Sequence, residues 1–171
     1  MDVHPIFVHF PIALLVFYSA LEIFRLPAIT RQQWWLPAKA LMLLGGVIGG
    51  IFALGSGGIA AEAYEKTSTA ALVDLHGTFA FLTIVVYGLL TIATLIRWRS
   101  MTKQPSPDVS RGSWNKIVRV ERTIFSPPVL IIGATIGLLL VTIVGALGGA
   151  IVYGPQVDPV VSVVYHLFFP K

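Results

Sequence analysis

Apolar residues run through this chain in four long blocks, separated by shorter polar stretches. The blocks cover about 5–25, 36–60, 70–97 and 128–153. Each reaches the roughly 20 residues that an α-helix needs to cross a hydrocarbon core. In lipid, backbone N–H and C=O groups have no water to bond, so each block must close its hydrogen bonds internally as a helix. The pattern predicts an all-α protein, a four-transmembrane-helix bundle forming a single membrane domain over residues 1–171.

Composition supports that reading. Of the 171 residues, 56% are hydrophobic and 12% are charged, where a soluble domain carries about 25% charged residues. No polar stretch is long enough for a second, soluble domain. There is no cysteine, which excludes disulfides, thiolate metal sites, iron–sulfur ligation and covalent haem attachment. The opening MDVHPIFVHFPIALL lacks a basic region and a small-residue cleavage site, so it is expected to stay as the first helix and not to be removed as a signal peptide.

The net charge of +4 changes the picture only through its placement. Arg25, Arg31 and Lys39 flank the first connection, and Arg97, Arg99, Lys103, Arg111, Lys116, Arg119 and Arg122 crowd the third, 98–127. The second connection sets Lys66 against Glu62 and Glu65. Basic loops stay inside, so the first and third connections are expected in the cytoplasm and both termini on the outer side. The basic excess therefore reads as membrane orientation and not as a nucleic-acid surface. Trp34, Trp35 and Trp98 fall where an aromatic belt would mark the cytoplasmic interface. Within the basic loop 98–127, KQPSPD reads as a turn and Ser113–Phe125 as a short helix on the anionic inner leaflet, with a partner-docking surface as the competing reading.

Small residues are concentrated in the second and fourth blocks. Gly45/Gly49, Gly46/Gly50, Gly133/Gly137 and Gly145/Gly149 have G-x-x-x-G spacing, which lets helices approach closely and also suits an oligomer. Gly55–Gly58 and Gly145–Gly149 lie in the outer part of the membrane, at the depth of the histidines.

All four histidines fall on the outer side: His4 and His9 on the first helix, His76 on the third and His166 in the tail. His9 and His76 are several residues inside helices, where an unsatisfied polar group is costly, so each imidazole needs a partner. Two histidines facing each other from different helices can hold a b-type haem. His9 with His76 is the best such pair, with Gly57 and Gly148 among the glycines that make room for the macrocycle. His4 caps the first helix ahead of Pro5. It stands about 140° and about 7.5 Å from His9 on a regular helix. A zinc or copper site from His4, His9 and His76 therefore requires a bend at Pro11, which removes the donor for the carbonyl of Phe7. The alternative is that these histidines bond headgroups, water or backbone, and His166 reads as interfacial.

The opening HPIFVHFPIALL, the DLHG of the third helix and the GALGGAIVYG ending the fourth resemble the DUF2231 family of prokaryotic membrane proteins. The resemblance spans essentially the whole chain and implies the same four-helix layout in a prokaryotic cytoplasmic (inner) membrane. Some members are joined to Rieske-type iron–sulfur domains, which implies redox work at the membrane, with a haem or a quinone. The histidines carried over by the resemblance are His4, His9 and His76. The segment YGPQVDP departs from the family's ending, and without cysteine this chain holds no Rieske ligands.

These observations lead to an expected function: a membrane electron-transfer subunit binding haem b near the outer face through His9 and His76, working with membrane redox partner proteins or quinone. A non-catalytic accessory subunit of a larger membrane complex is the alternative, and a His-ligated zinc or copper site the second. A proton-coupled transporter is less favoured, because Glu22, near the inner end of the first helix, is placed to pair with Arg25. Asp74, Tyr153 and Tyr64 are the polar candidates for a quinol site near the outer face.

Overall fold

The computed structural model describes residues 4–102 and 126–170, excluding the side chains of 4–7, 101 and 102. Among the described residues the chain is all-helical. Four long helices build the body: α1 (His4–Phe24), α3 (Trp35–Ala61), α4 (Ala70–Thr102) and α5 (Pro127–Tyr153). A one-turn helix α2 (Pro27–Thr30) lies between α1 and α3, and a 3₁₀ turn (Glu62–Tyr64) follows α3. A shorter helix α6 (Pro159–Phe168) follows α5. The predicted blocks and the helices agree to within one residue except at α4, which continues to Thr102. The KQPSPD turn and the helix expected over Ser113–Phe125 lie outside the described residues.

Local chemistry sets the helix ends. Proline opens α2, α5 and α6, where its missing N–H and fixed φ cost nothing. α1 stops at Arg25, whose φ of 35° is left-handed; its N–H closes on the carbonyl of Leu21. α5 stops at Gly154, with φ 89°, a conformation that side chains rarely adopt. The chain then turns through residues 155–157, and the Asp158 carboxylate accepts the N–H of Val161 at 2.9 Å to cap α6. Asp158→Ala is expected to destabilise α6 by about 1 kcal/mol, seen as faster amide exchange in 161–168 with exchange in α3 unchanged.

The long helices run antiparallel in chain order. Along α3, Gly45, Gly46 and Gly49 meet Leu14, Leu15 and Pro11 of α1 in turn. Along α5, Gly133, Gly137 and Gly148 meet Leu90, Tyr87 and His76 of α4. Each glycine removes a Cβ at a place where the facing side chain fills the space, so the 45/49, 46/50 and 133/137 pairs work as interhelical contacts within one chain. α1 and α4 each pack on α3 and on α5, which sets α1 and α4 on the diagonal of a four-helix ring. One end of the bundle carries His76; the other, where α1 ends and α3 begins, carries Trp34 and Trp35. We call these the histidine end and the tryptophan end.

The core has two parts. Toward the tryptophan end and the middle, Leu15, Tyr18, Leu43, Tyr87, Leu90 and Ala134 form one buried cluster. At the histidine end, Leu72, Ala146, Leu147, Ala150 and Val161 form another, and α6 supplies much of its cover. The tail is therefore a folded part of the bundle and not a loose interfacial segment.

The distribution of polarity is the reverse of that in a soluble bundle. Phe10, Phe17, Leu41, Phe52, Leu89 and Leu139 are exposed around the outside, while Tyr18, Ser19, Glu22, Lys39, Thr83 and Thr94 are buried. An apolar exterior over a polar interior suits a hydrocarbon surround. Three helical stretches, Trp35–Tyr64, Ala70–Ser100 and Pro127–Tyr153, are long and apolar enough to cross a membrane.

Candidate functional site

His76 is the histidine that the bundle holds most definitely. It lies six residues into α4, half-buried, and its Nδ1 is 3.1 Å from the carbonyl oxygen of Val144 on α5. A carbonyl only accepts, so Nδ1 is the protonated nitrogen, and in the neutral ring the lone pair sits on Nε2. Gly148, one turn beyond Val144, permits this contact. A Cβ there would lie 3.2 Å from the imidazole Cε1, so the ring would have to give by a few tenths of an ångström. Anchoring one ring nitrogen on a backbone carbonyl is the arrangement that orients a metal-binding histidine.

The other expected site residues are placed differently. His9 is five residues into α1, about 7.5 Å along the helix, close to the roughly 9 Å depth of His76 in α4. Its side chain is on the exposed side of α1. Pro11 is buried against Gly49, and α1 continues through it as one helix. The backbone of His4 starts α1, but its side chain lies outside the described residues. Gly57 is half-buried near the end of α3, and Gly148 packs on His76. Among the described residues no group of three or more histidines and carboxylates comes together. Of the quinol candidates, Asp74 and Tyr153 are exposed and Tyr64 is half-buried.

His166 is half-exposed at the histidine end. It stands on α6, against Tyr165 with ring centroids 5.4 Å apart. Its Nδ1 is buried with no hydrogen-bond partner.

A second polar cluster, of which the sequence predicted only the Glu22–Arg25 pair, occupies the interior toward the tryptophan end. Glu22 of α1 is fully buried and forms ion pairs with both Arg25 and Lys39 of α3. The Lys39 ammonium also lies 4.9 Å from the centroid of the Trp35 ring, a cation–π distance. Trp35 is thereby drawn into the bundle, while Trp34 stays exposed. Deeper in, the Ser19 and Tyr87 hydroxyls are 2.7 Å apart, joining the diagonal helices α1 and α4. The Tyr18 hydroxyl and Thr94 Oγ1 are both buried and lie near each other. The signal was present in the sequence: Tyr18, Ser19 and Glu22 share one face of α1, and Tyr87, Thr91 and Thr94 one face of α4.

An apolar exterior, three spanning-length helices and a polar interior define a helical membrane protein. The family model for predicted membrane proteins of the DUF2231 type matches residues 1–160, and the chain belongs to that family. No curated protein and no solved structure matches it.

Proposed function

We propose that this chain is a small membrane electron-transfer subunit that binds a b-type haem near the outer face, which His76 would help to hold. The observation that carries this reading is the His76–Val144 contact over Gly148. It supports a ring oriented by Nδ1 with the lone pair on Nε2, as an iron ligand requires. His9, the second histidine of the sequence pattern, has the right depth but stands on the exposed side of α1. Bound haem would supply one-electron chemistry; the protein's part is to orient the imidazole and exclude water. His76, Leu72 and Leu147 serve that part, the last two as buried apolar cover at the histidine end.

The same proposal includes four spans, with α1 as the first at 21 residues, and both termini on the outer side of a prokaryotic inner membrane. The asymmetry of Lys and Arg between the connections supports that orientation. Membrane redox proteins or quinone are the proposed partners, and open glycines such as Gly55, Gly58 and Gly145 are compatible with an oligomer.

His76→Ala tests the ligand assignment. With haem supplied during expression, the variant should reach the membrane at wild-type levels and lose most of its solvent-extractable haem. Haem retained at the wild-type ratio in the variant removes His76 from the site.

A further inference from the structure

α6 has ten residues, too few to cross a hydrocarbon core, which needs roughly 20. None of the ten is Lys, Arg, Asp or Glu, whereas a helix lying in water presents a charged or polar face. The bundle takes one side of it. Val161 is the side chain that a Cβ on Gly149 would meet, at 3.2 Å. Phe168 packs on Phe79 of α4, with ring centroids 5.2 Å apart. Val164 and Tyr165 pack against the same cluster. The opposite side is bare and also apolar. Val160, Val163 and Leu167 are 54%, 70% and 71% exposed, and steps of three and four residues put them on one face. Ser162 and His166, four residues apart, share a different face.

Depth decides between water and lipid as the surround of that bare side. On α4, Asp74 and Arg97 bracket a stretch free of Lys, Arg, Asp and Glu. Its length is roughly 34 Å, close to the roughly 30 Å of a hydrocarbon core. Exposed Asp74 thus marks the boundary at the histidine end. Val161 meets Gly149, next to the Gly148 that faces His76, so α6 starts close to this boundary. Phe79 lies five residues below Asp74, about 7.5 Å along the axis, and Phe168 packs on it. α6 therefore ends on the hydrocarbon side of the boundary. A descent of this size matches helices that bury an apolar face about 5–10 Å into the headgroup–acyl zone.

The side chains also favour lipid over a protein partner. The bare face is wholly aliphatic, and protein interfaces draw their binding energy mainly from Trp, Tyr and Arg, with Leu and Val under-represented. Phe81 on α4 and Val152 on α5, close to the same levels, are exposed as well, so the face belongs to the apolar exterior of the bundle. The polar residues Gln156 and Asp158 stand exposed just ahead of α6, on the headgroup side.

We infer that α6 is a lipid-binding helix that turns back into the leaflet at the histidine end, with Val160, Val163 and Leu167 against acyl chains. Lipid on one side and the bundle on the other hold it in place, and it closes the lower cover of Leu72, Leu147 and Ala150. Bound haem is not required for this.

The absence of native cysteine allows a direct test in the full chain. Single variants Gln156→Cys, Val160→Cys, Val163→Cys and Leu167→Cys are spin-labelled and reconstituted into vesicles of phosphatidylethanolamine and phosphatidylglycerol. All four positions are exposed, so the label displaces no core side chain. Collision of each label with oxygen, which concentrates in acyl chains, is compared with collision with a water-soluble nickel chelate. At 163 and 167 the oxygen-to-nickel ratio should exceed that at 156 several-fold, and it should rise from 160 to 167. A ratio at 163 and 167 equal to that at 156 overturns the inference, because water then bathes the face. Low collision with both reagents at 163 and 167 also overturns it, because a protein surface, such as a second copy of this chain, then covers the face.

Discussion

Glu22→Ala is expected to destabilise the bundle by about 3–5 kcal/mol, because it leaves the buried Lys39 ammonium without its counter-charge. Lys39 sits with its chain inside α3 and its charge between Glu22 and the Trp35 face. With the carboxylate gone it has only the ring, and an uncompensated buried charge costs more than the intact pair contributes. Arg25→Ala should be much milder, within about 1 kcal/mol, because its side chain is partly exposed and water screens the pair. Replacing both buried partners, Glu22→Leu with Lys39→Met, should recover much of the loss, because no charge then remains to be desolvated. Unfolding in mixed detergent, followed by helical circular dichroism, orders the variants. A Glu22→Ala protein as stable as wild type would show that water or lipid headgroups reach Lys39.

The second large effect is expected at Gly137. A Cβ there would lie 2.7 Å from Cζ of Tyr87 and 3.0 Å from its hydroxyl oxygen. The Tyr87 ring has little room to retreat: its hydroxyl is bonded to Ser19, and it packs on Tyr18 in a T-shaped pair with centroids 6.2 Å apart. Gly137→Ala therefore forces either the α4–α5 spacing or the Ser19–Tyr87 bond to give, at about 1–3 kcal/mol. Gly50→Ala is the control. Its Cβ would meet Cδ1 of Ile84, the tip of a flexible side chain, and a rotamer change absorbs that for about 0.5–1.5 kcal/mol. The same unfolding measurement separates them, and equal losses at the two positions would mean that Tyr87 is not pinned.

The four helices were legible because apolar length and charge placement act along the chain, and lipid leaves the backbone no alternative to a helix. α6 was harder to see. Ten residues are too few to span, so VVYHLFFPK reads as a tail when hydropathy alone is considered. The Asp158–Pro159 start was the available signal, since a carboxylate before proline is a helix beginning. The Glu22–Lys39 pair was not legible, because its partners are 17 residues apart and Lys39 counts equally well as a loop charge. Only the packing of α1 on α3 brings it inside. At the histidine end, depth alone singled out His76 and Gly148 together, and the structure joins them. Depth also placed His9 beside His76, but it gives no angle around the helix axis, and His9 stands on the exposed side.

The haem proposal is tested most directly by the dithionite-reduced minus oxidised absorption spectrum of the wild-type protein, purified after expression with ample haem. A b-type haem held through His76 predicts a Soret shift and a sharp α band, with about one haem extracted per chain. A featureless difference spectrum from folded protein with no extractable haem would contradict it.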